Sequence, residues 1–220
     1  LPTGNWSCMA YGAGKFVTLN SGTGQAATTT DGFTWIPQIV VTTEAWSSIA
    51  FGNGEFVAVA TGTSKAYTSA DGQTWYQNSM GVTANWKSVA YGNGVFVAVA
   101  TGGTVAAVST DLGQSWTAGV LPSTASWSSV VYGNKKFIAV SSDGVSATSK
   151  DGITWKIRTM PAGTWNVVAN GNLKYIALGN GNTVGEASDG GDAQNYILQT
   201  ITYVSGTALA GLTFKLTVSP

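Results

Sequence analysis

"WSSIAFGNGEFVAVATGTSKAYTSADGQTW" occupies residues 46–75, and a close relative, "WKSVAYGNGVFVAVA", starts at Trp86. A chain that restates itself at a fixed interval is read first for its period, because the period decides the fold. Five copies align on their first tryptophans, Trp6, Trp46, Trp86, Trp127 and Trp165, spaced 40, 40, 41 and 38 residues apart. Four copies close on a second tryptophan, Trp35, Trp75, Trp116 or Trp155, so all 9 tryptophans belong to the repeat.

Inside a copy, short runs rich in β-branched and aromatic residues alternate with turn residues, the pattern of strands. "WSSIAF", "EFVAVAT", "KAYTSA" and "TWYQNS" read as strands one to four. "GNG" at residues 52–54 reads as a tight hairpin whose Gly and Asn supply positive φ angles. Equivalent hairpins start at Gly12, Gly92, Gly133 and Gly171, and helical periodicity appears nowhere. Four strands in about 40 residues, repeated five times, predict an all-β, five-bladed β-propeller. The expected blades are about 6–45, 46–85, 86–126, 127–164 and 165–204, with residues 205–220 as a strand extension for ring closure or subunit docking. A sixth blade built from that tail is the alternative count. First strands are expected nearest the axis, where Ser47, Ser48, Ala50, Ser128 and Ser129 suit a crowded centre.

The turns before the second tryptophans read "TTTDGFTW", "TSADGQTW", "VSTDLGQSW" and "TSKDGITW". They resemble the Asp-box, or bacterial neuraminidase repeat, of sialidases and other propellers. The third, with Ser109, Asp111, Gly113, Ser115 and Trp116, matches the full pattern; the others are one residue tighter. Asp31, Asp71, Asp111 and Asp151 are expected to accept N–H bonds from their own turns, a structural role. Trp35, Trp75, Trp116 and Trp155 are expected to tuck between neighbouring blades. The fifth copy has "ASDGGDAQNY" without a tryptophan, with Tyr196 in the indole's place, "YILQTITYV" as fourth strand and Leu212–Val218 as a further strand.

Composition narrows the function classes. At 44% hydrophobic and 9% charged, the chain is too apolar for disorder and long enough for a real core. Ten basic and ten acidic residues cancel, which removes the electrostatic footprint that phosphate or an anionic membrane surface requires. No stretch of about 20 apolar residues is present to insert in a membrane. Cys8 is the single cysteine, and no signal-peptide pattern opens the sequence, which reads as a mature product or part of a longer chain.

The sialidase resemblance implies three arginines on a substrate carboxylate and a tyrosine–glutamate nucleophile, yet Arg158 is the only arginine. Without histidine there is no Ser-His-Asp system, Cys-His system or histidine metal site. Glu44 and Asp143 sit in loops of non-adjacent blades. The expectation is therefore no enzyme, no metal and no cofactor.

"WKSVAYGNGVFVAVA", Trp86 to Ala100, resembles repeats of bacteriophage tail and other virion-associated proteins. That resemblance implies a virion-surface or extracellular location, with other virion or appendage subunits as partners, homo-oligomers included. The expected function is recognition of a host-surface glycan or protein, or structural attachment. Loops between second and third strands and between blades would carry it, with Thr61, Ser64, Lys65, Ser142, Asp143 and Asn182 as candidates. A secreted multivalent lectin is one alternative, but "VVTTEA", "GVTAN", "LPSTAS" and "MPAGT" diverge where repeated sugar pockets would match. An assembly scaffold docking other subunits through a strand edge is the other.

Overall fold

The computed structural model describes residues 1–40, 42–158, 160, 163–171, 174–180, 183–188 and 196–200, with side chains excluded at 183, 185–188 and 196–200. Asn182, the expected extension 205–220 and the side chain of Tyr196 lie outside the described residues.

Every described element is a strand. The first blade contains β1 (Trp6–Gly12), β2 (Lys15–Asn20), β3 (Gln25–Thr29) and β4 (Ile36–Ile39), antiparallel in that order. The next elements are β5 (Trp46–Gly52), β6 (Glu55–Ser69), β7 (Tyr76–Gly92), β8 (Val95–Ser109), β9 (Thr117–Gly133), β10 (Lys136–Ser141), β11 (Ser146–Ser149) and β12 (Trp155–Arg158). They form one eight-stranded sheet because four long strands each serve twice. In β6, Glu55–Ala60 pairs with β5 while Lys65–Thr68 pairs with Tyr76–Ser79 of β7; the second half of β7 then pairs with β8. A fifth group follows, β13 (Trp165–Gly171), β14 (Lys174–Gly179), β15 (Thr183–Ser188) and β16 (Tyr196–Thr200). The predicted four-strand blade is thus present five times among the described residues.

Alternation along the second strands makes the core. Phe56, Ala58 and Ala60 face the first blade, packing with Val17, Leu19, Trp46 and Trp75. Val57 and Val59 point the other way, onto Trp86, Phe96 and Ala98 of the third blade. Two further clusters join the third blade to the fourth and the fourth to the fifth. Each fully buried indole removes about 150–250 Å² from water, contributing up to about 4–6 kcal/mol.

First strands converge as expected, β1 on β5, β5 on β7, β7 on β9 and β9 on β13. Serines there do more than fit. The Ser48 Oγ accepts the Val89 N–H of the next blade at 3.1 Å, Ser88 that of Val130 at 3.0 Å, and Ser129 that of Val168 at 3.2 Å. Ser47 and Ser128 donate to the carbonyls of Trp86 and Trp165 at 2.7 and 2.6 Å.

The "GNG" hairpins carry positive φ on an Asn and a Gly, as the sequence reading expects. Positive φ falls on Asn53 and Gly54, and on Asn93 and Gly94, not on the leading Gly52 or Gly92. Those leading glycines answer to the next blade: a Cβ on Gly52 would lie 1.9 Å from Cγ of Tyr91, and one on Gly92 the same distance from Cγ of Tyr132. At three interfaces an aromatic ring, Phe51, Tyr91 or Tyr132, lies against the leading glycine of the preceding blade, and at the fourth Asn170 takes that place against Gly133.

Among the described residues no comparable packing joins β13 to β1. Met9 is 51% exposed, whereas its equivalents Ile49, Val89, Val130 and Val168 are at most 7%. Leu178, on the far side of the fifth blade, is 45% exposed where Val59 is wholly buried.

Candidate functional site

One face carries the hairpins and the acidic turns. In three of these turns one carboxylate oxygen accepts two backbone N–H groups. Asp31 takes those of Phe33 and Thr34, Asp71 those of Gln73 and Thr74, and Asp151 those of Ile153 and Thr154, all at 2.8–2.9 Å. Asp111 reaches one residue further, to Ser115, because Leu112 is inserted and takes φ 62°. A hydroxyl at Thr29, Ser69, Ser109 or Ser149 donates to the aspartate and accepts the N–H of the turn glycine.

The bonds from Thr34, Phe33 and Thr29 hold Asp31 down at about 2. The Thr74 N–H leads in lowering Asp71. Burial pushes Asp111 and Asp151 upward, and their turn bonds outweigh it, leaving both lowered. These acids are engaged within their own turns, and no group of three His, Cys, Asp or Glu able to hold a metal occurs among the described residues. Trp75 and Trp155 are buried against the preceding blade and Trp116 packs partly against it, while Trp35, with no blade before it, is half-buried.

The opposite face carries the inter-blade connections and the second-to-third-strand loops, where the candidate binding residues lie. Lys65 forms a 2.9 Å ion pair with Glu44 of the preceding connection. The Tyr67 hydroxyl meets the same Glu44 oxygen at 3.0 Å, with Gln77 at 2.9 Å. Burial works to raise Glu44, and its bonds from Lys65 and Tyr67 prevail, holding the carboxyl below its ordinary range. The third and fourth blades lack this cluster: they have Val105 and Val145 at the lysine position, Ala107 and Ala147 at the tyrosine position, and Ala84 and Ala125 at the glutamate position.

Asp143 accepts the Ser126 N–H, and Ser142 donates its own N–H to the Ser126 carbonyl at 3.0 Å. Thr61 does likewise with Ala45 at 3.0 Å, and Ser64 is half-buried beside it. Glu44 and Asp143 therefore stay apart, each tied within its own blade's loops. Cys8, whose thiol burial pushes up to about 12, fills the inner-strand position of Ser48 and Ser88.

A feature the sequence reading missed lies on the fourth blade. Lys136, Lys150, Lys156 and Arg158 line a groove of about 350 Å³ with Thr148 and Asp151. Arg158 Nε donates to Thr148 Oγ1 at 2.9 Å. The residues come from β10, β11, β12 and the turn at Asp151, so their gathering depends on strand register that the linear charge pattern does not display.

Residues 81–202 match the model of the family described as DUF6242 beta propeller domain. No curated protein sequence matches the chain. A solved streptogramin B lyase superposes over 91% of this chain and 70% of its own, at 11% identity and TM-score 0.80. Virginiamycin B lyase from Staphylococcus aureus gives 91%, 72%, 11% and 0.80. YCF48 from Cyanidioschyzon merolae covers 90% of this chain and 72% of its own at 17% identity and TM-score 0.67. The expectation of no enzyme, drawn from the single arginine and the absent histidine, is corrected here: the fold is shared with a streptogramin B lyase. At 11% identity the likeness is one of fold.

Proposed function

The chain belongs to the DUF6242 beta propeller domain family, and from that premise we propose that it is a surface-recognition propeller of a virion or phage appendage. Its ligand is a host-surface glycan taken on the loop face. One observation carries the reading: the acidic-turn face repeats through the first four blades with its acids engaged locally, while loop-face side chains vary, Glu44, Lys65 and Tyr67 giving way to Ala84, Val105 and Ala107 in the third blade and to Ala125, Val145 and Ala147 in the fourth. A uniform scaffold with individual loops is how one fold presents a specific surface. The Glu44–Lys65–Tyr67 cluster is the most individual part of it, and Lys65 remains 41% exposed. The resemblance of the repeats to Asp-box and phage-tail sequences supports the same reading, as does a loop surface rich in Ser, Thr and Asn that suits sugar hydroxyls.

A glycan array probed with the chain, with Lys65→Ala and with Asp143→Ala tests it. The expected result is a narrow set of retained glycans, weakened about tenfold or more by a loop substitution. Retention of no glycan overturns the reading. The cationic groove favours a second site for the same class of ligand, restricted to acidic sugars. In that case Lys150→Ala with Lys156→Ala abolishes binding, salt weakens it, and the loop variants leave it intact.

A further inference from the structure

We propose that two further repeats of the same forty-residue type, continuous with this polypeptide, fill the gap between the fifth blade and the first. Four interior interfaces define what each end face is built to meet. A following face offers a glycine and two aliphatic residues of its second strand; a preceding face offers a tryptophan, an aliphatic residue and a side chain against that glycine, a ring at three interfaces and Asn170 at the fourth.

Both ends keep these features with no blade against them among the described residues. Gly171 ends β13 without a positive φ, and a Cβ there would meet nothing within 4 Å, whereas Gly12, Gly52, Gly92 and Gly133 would each collide with the next blade. Gly171 therefore has the residue type that a following ring requires and, among the described residues, no ring. Beside it Val167, Ile176 and Leu178 are exposed. At the other end Tyr11, the ring that should lie on a preceding glycine, is 60% exposed, with Met9 beside it. Gly32 repeats the pattern: Gly72 and Gly152 are jammed against Val17 and Val97 of the preceding blade, but Gly32 faces open space.

The size of the occupant follows from the superposition. The streptogramin B lyase superposes on 91% of this chain, and the roughly 30% of its own length left unmatched corresponds to about two repeats. A second copy of this chain, with five blades, is too large for such a gap. Residues 201–220 amount to about half a repeat and are too few. Covalent continuity is how the existing interfaces are made, since β7 and β9 each run unbroken from one blade into the next.

The test duplicates residues 46–126, two of the chain's own repeats, after the fifth blade. Hydroxyl-radical labelling of Met9, Tyr11 and Leu178 is then compared between the 220-residue chain and the extended one, with sedimentation reporting mass. The expected result is a monomer in both, with labelling at all three residues falling about tenfold in the extended form. Where that form does not fold, the duplicate is placed ahead of Leu1 and the same readout applies. Unchanged labelling in a folded extended chain overturns the proposal. So does a 220-residue chain that sediments as a dimer with Met9 and Leu178 already protected, since a second copy would then be the occupant.

Discussion

The blade interfaces inside the arc and the two faces at its ends are built from the same repeat, yet they differ in every physical respect. Between the second and third blades, Trp86 is fully buried and donates its indole N–H to the Thr63 carbonyl at 3.0 Å, Tyr91 lies on Gly52, and Ser48 holds the Val89 N–H. At the first blade, Trp6 is half-buried and bonds only locally to Pro2, and Tyr11 and Met9 face solvent. A blade of this kind has two faces, and its stability is a property of neighbouring pairs as much as of the repeat itself.

Substituting the tryptophans gives the largest expected separation between the two regions. Trp86→Ala should cost about 3–5 kcal/mol, the range for deleting a buried aromatic. Trp6→Ala should cost under about 1 kcal/mol, as a change at a half-exposed position does. Urea unfolding of the two variants checks this, and equal losses would mean that the first blade is not an end at all.

Glycines sharpen the same contrast. Gly52→Ala drives a methyl into the Tyr91 ring and should destabilise by about 1–3 kcal/mol. Gly171→Ala, at the matching position of the fifth blade, should stay within about 0.5 kcal/mol in the 220-residue chain. Calorimetry on the pair reads the difference directly.

These comparisons also mark how far the sequence was legible. Strand order, hairpins and the role of each acidic turn are local, so period and turn chemistry predict them: Asp71 binds the two N–H groups that follow it, as such a turn should. The role of the leading glycine of "GNG" was not legible, because its reason lies about 40 residues away, in a ring of the next blade. Met9 and Ile49 occupy equivalent places in the repeat and differ only in whether a neighbour exists. The cation groove likewise needs strand register, and Asn182 and the 205–220 extension fall outside the described residues.

The axial serines predict a smaller effect of either sign. Ser88→Ala leaves the buried Val130 N–H without its acceptor and should cost about 1–2 kcal/mol. In the first blade Cys8 stands where Ser48, Ser88 and Ser129 supply that acceptor, so Cys8→Ser should gain about 1 kcal/mol against Ile49. A loss on Cys8→Ser would show that the thiol is held by packing the hydroxyl cannot replace.

The smallest effect lies in the acidic turns, and pH separates the end from the interior. Asp31, Asp71, Asp111 and Asp151 all titrate lower when folded than the roughly 3.9 of an unfolded aspartate. Their contribution is fully present above about pH 4 and is lost as pH falls through the folded values, toward about 2 for Asp31. In the interior, Gly113 of the Asp111 turn would press a Cβ onto Thr68 and Val57 of the preceding blade, so loosening that turn disturbs an interface. Asp111→Asn should therefore lower global stability by under about 1 kcal/mol at neutral pH and flatten its fall below pH 4. The Asp31 turn has no blade behind it, so its protonation should open the turn alone. Amide exchange at Phe33 and Thr34 should rise as pH falls, after correction for intrinsic rates, with no matching change in Tm. If Asp31→Asn shifted Tm as much as Asp111→Asn, the first turn would be coupled to the fold through a contact as firm as those inside the arc.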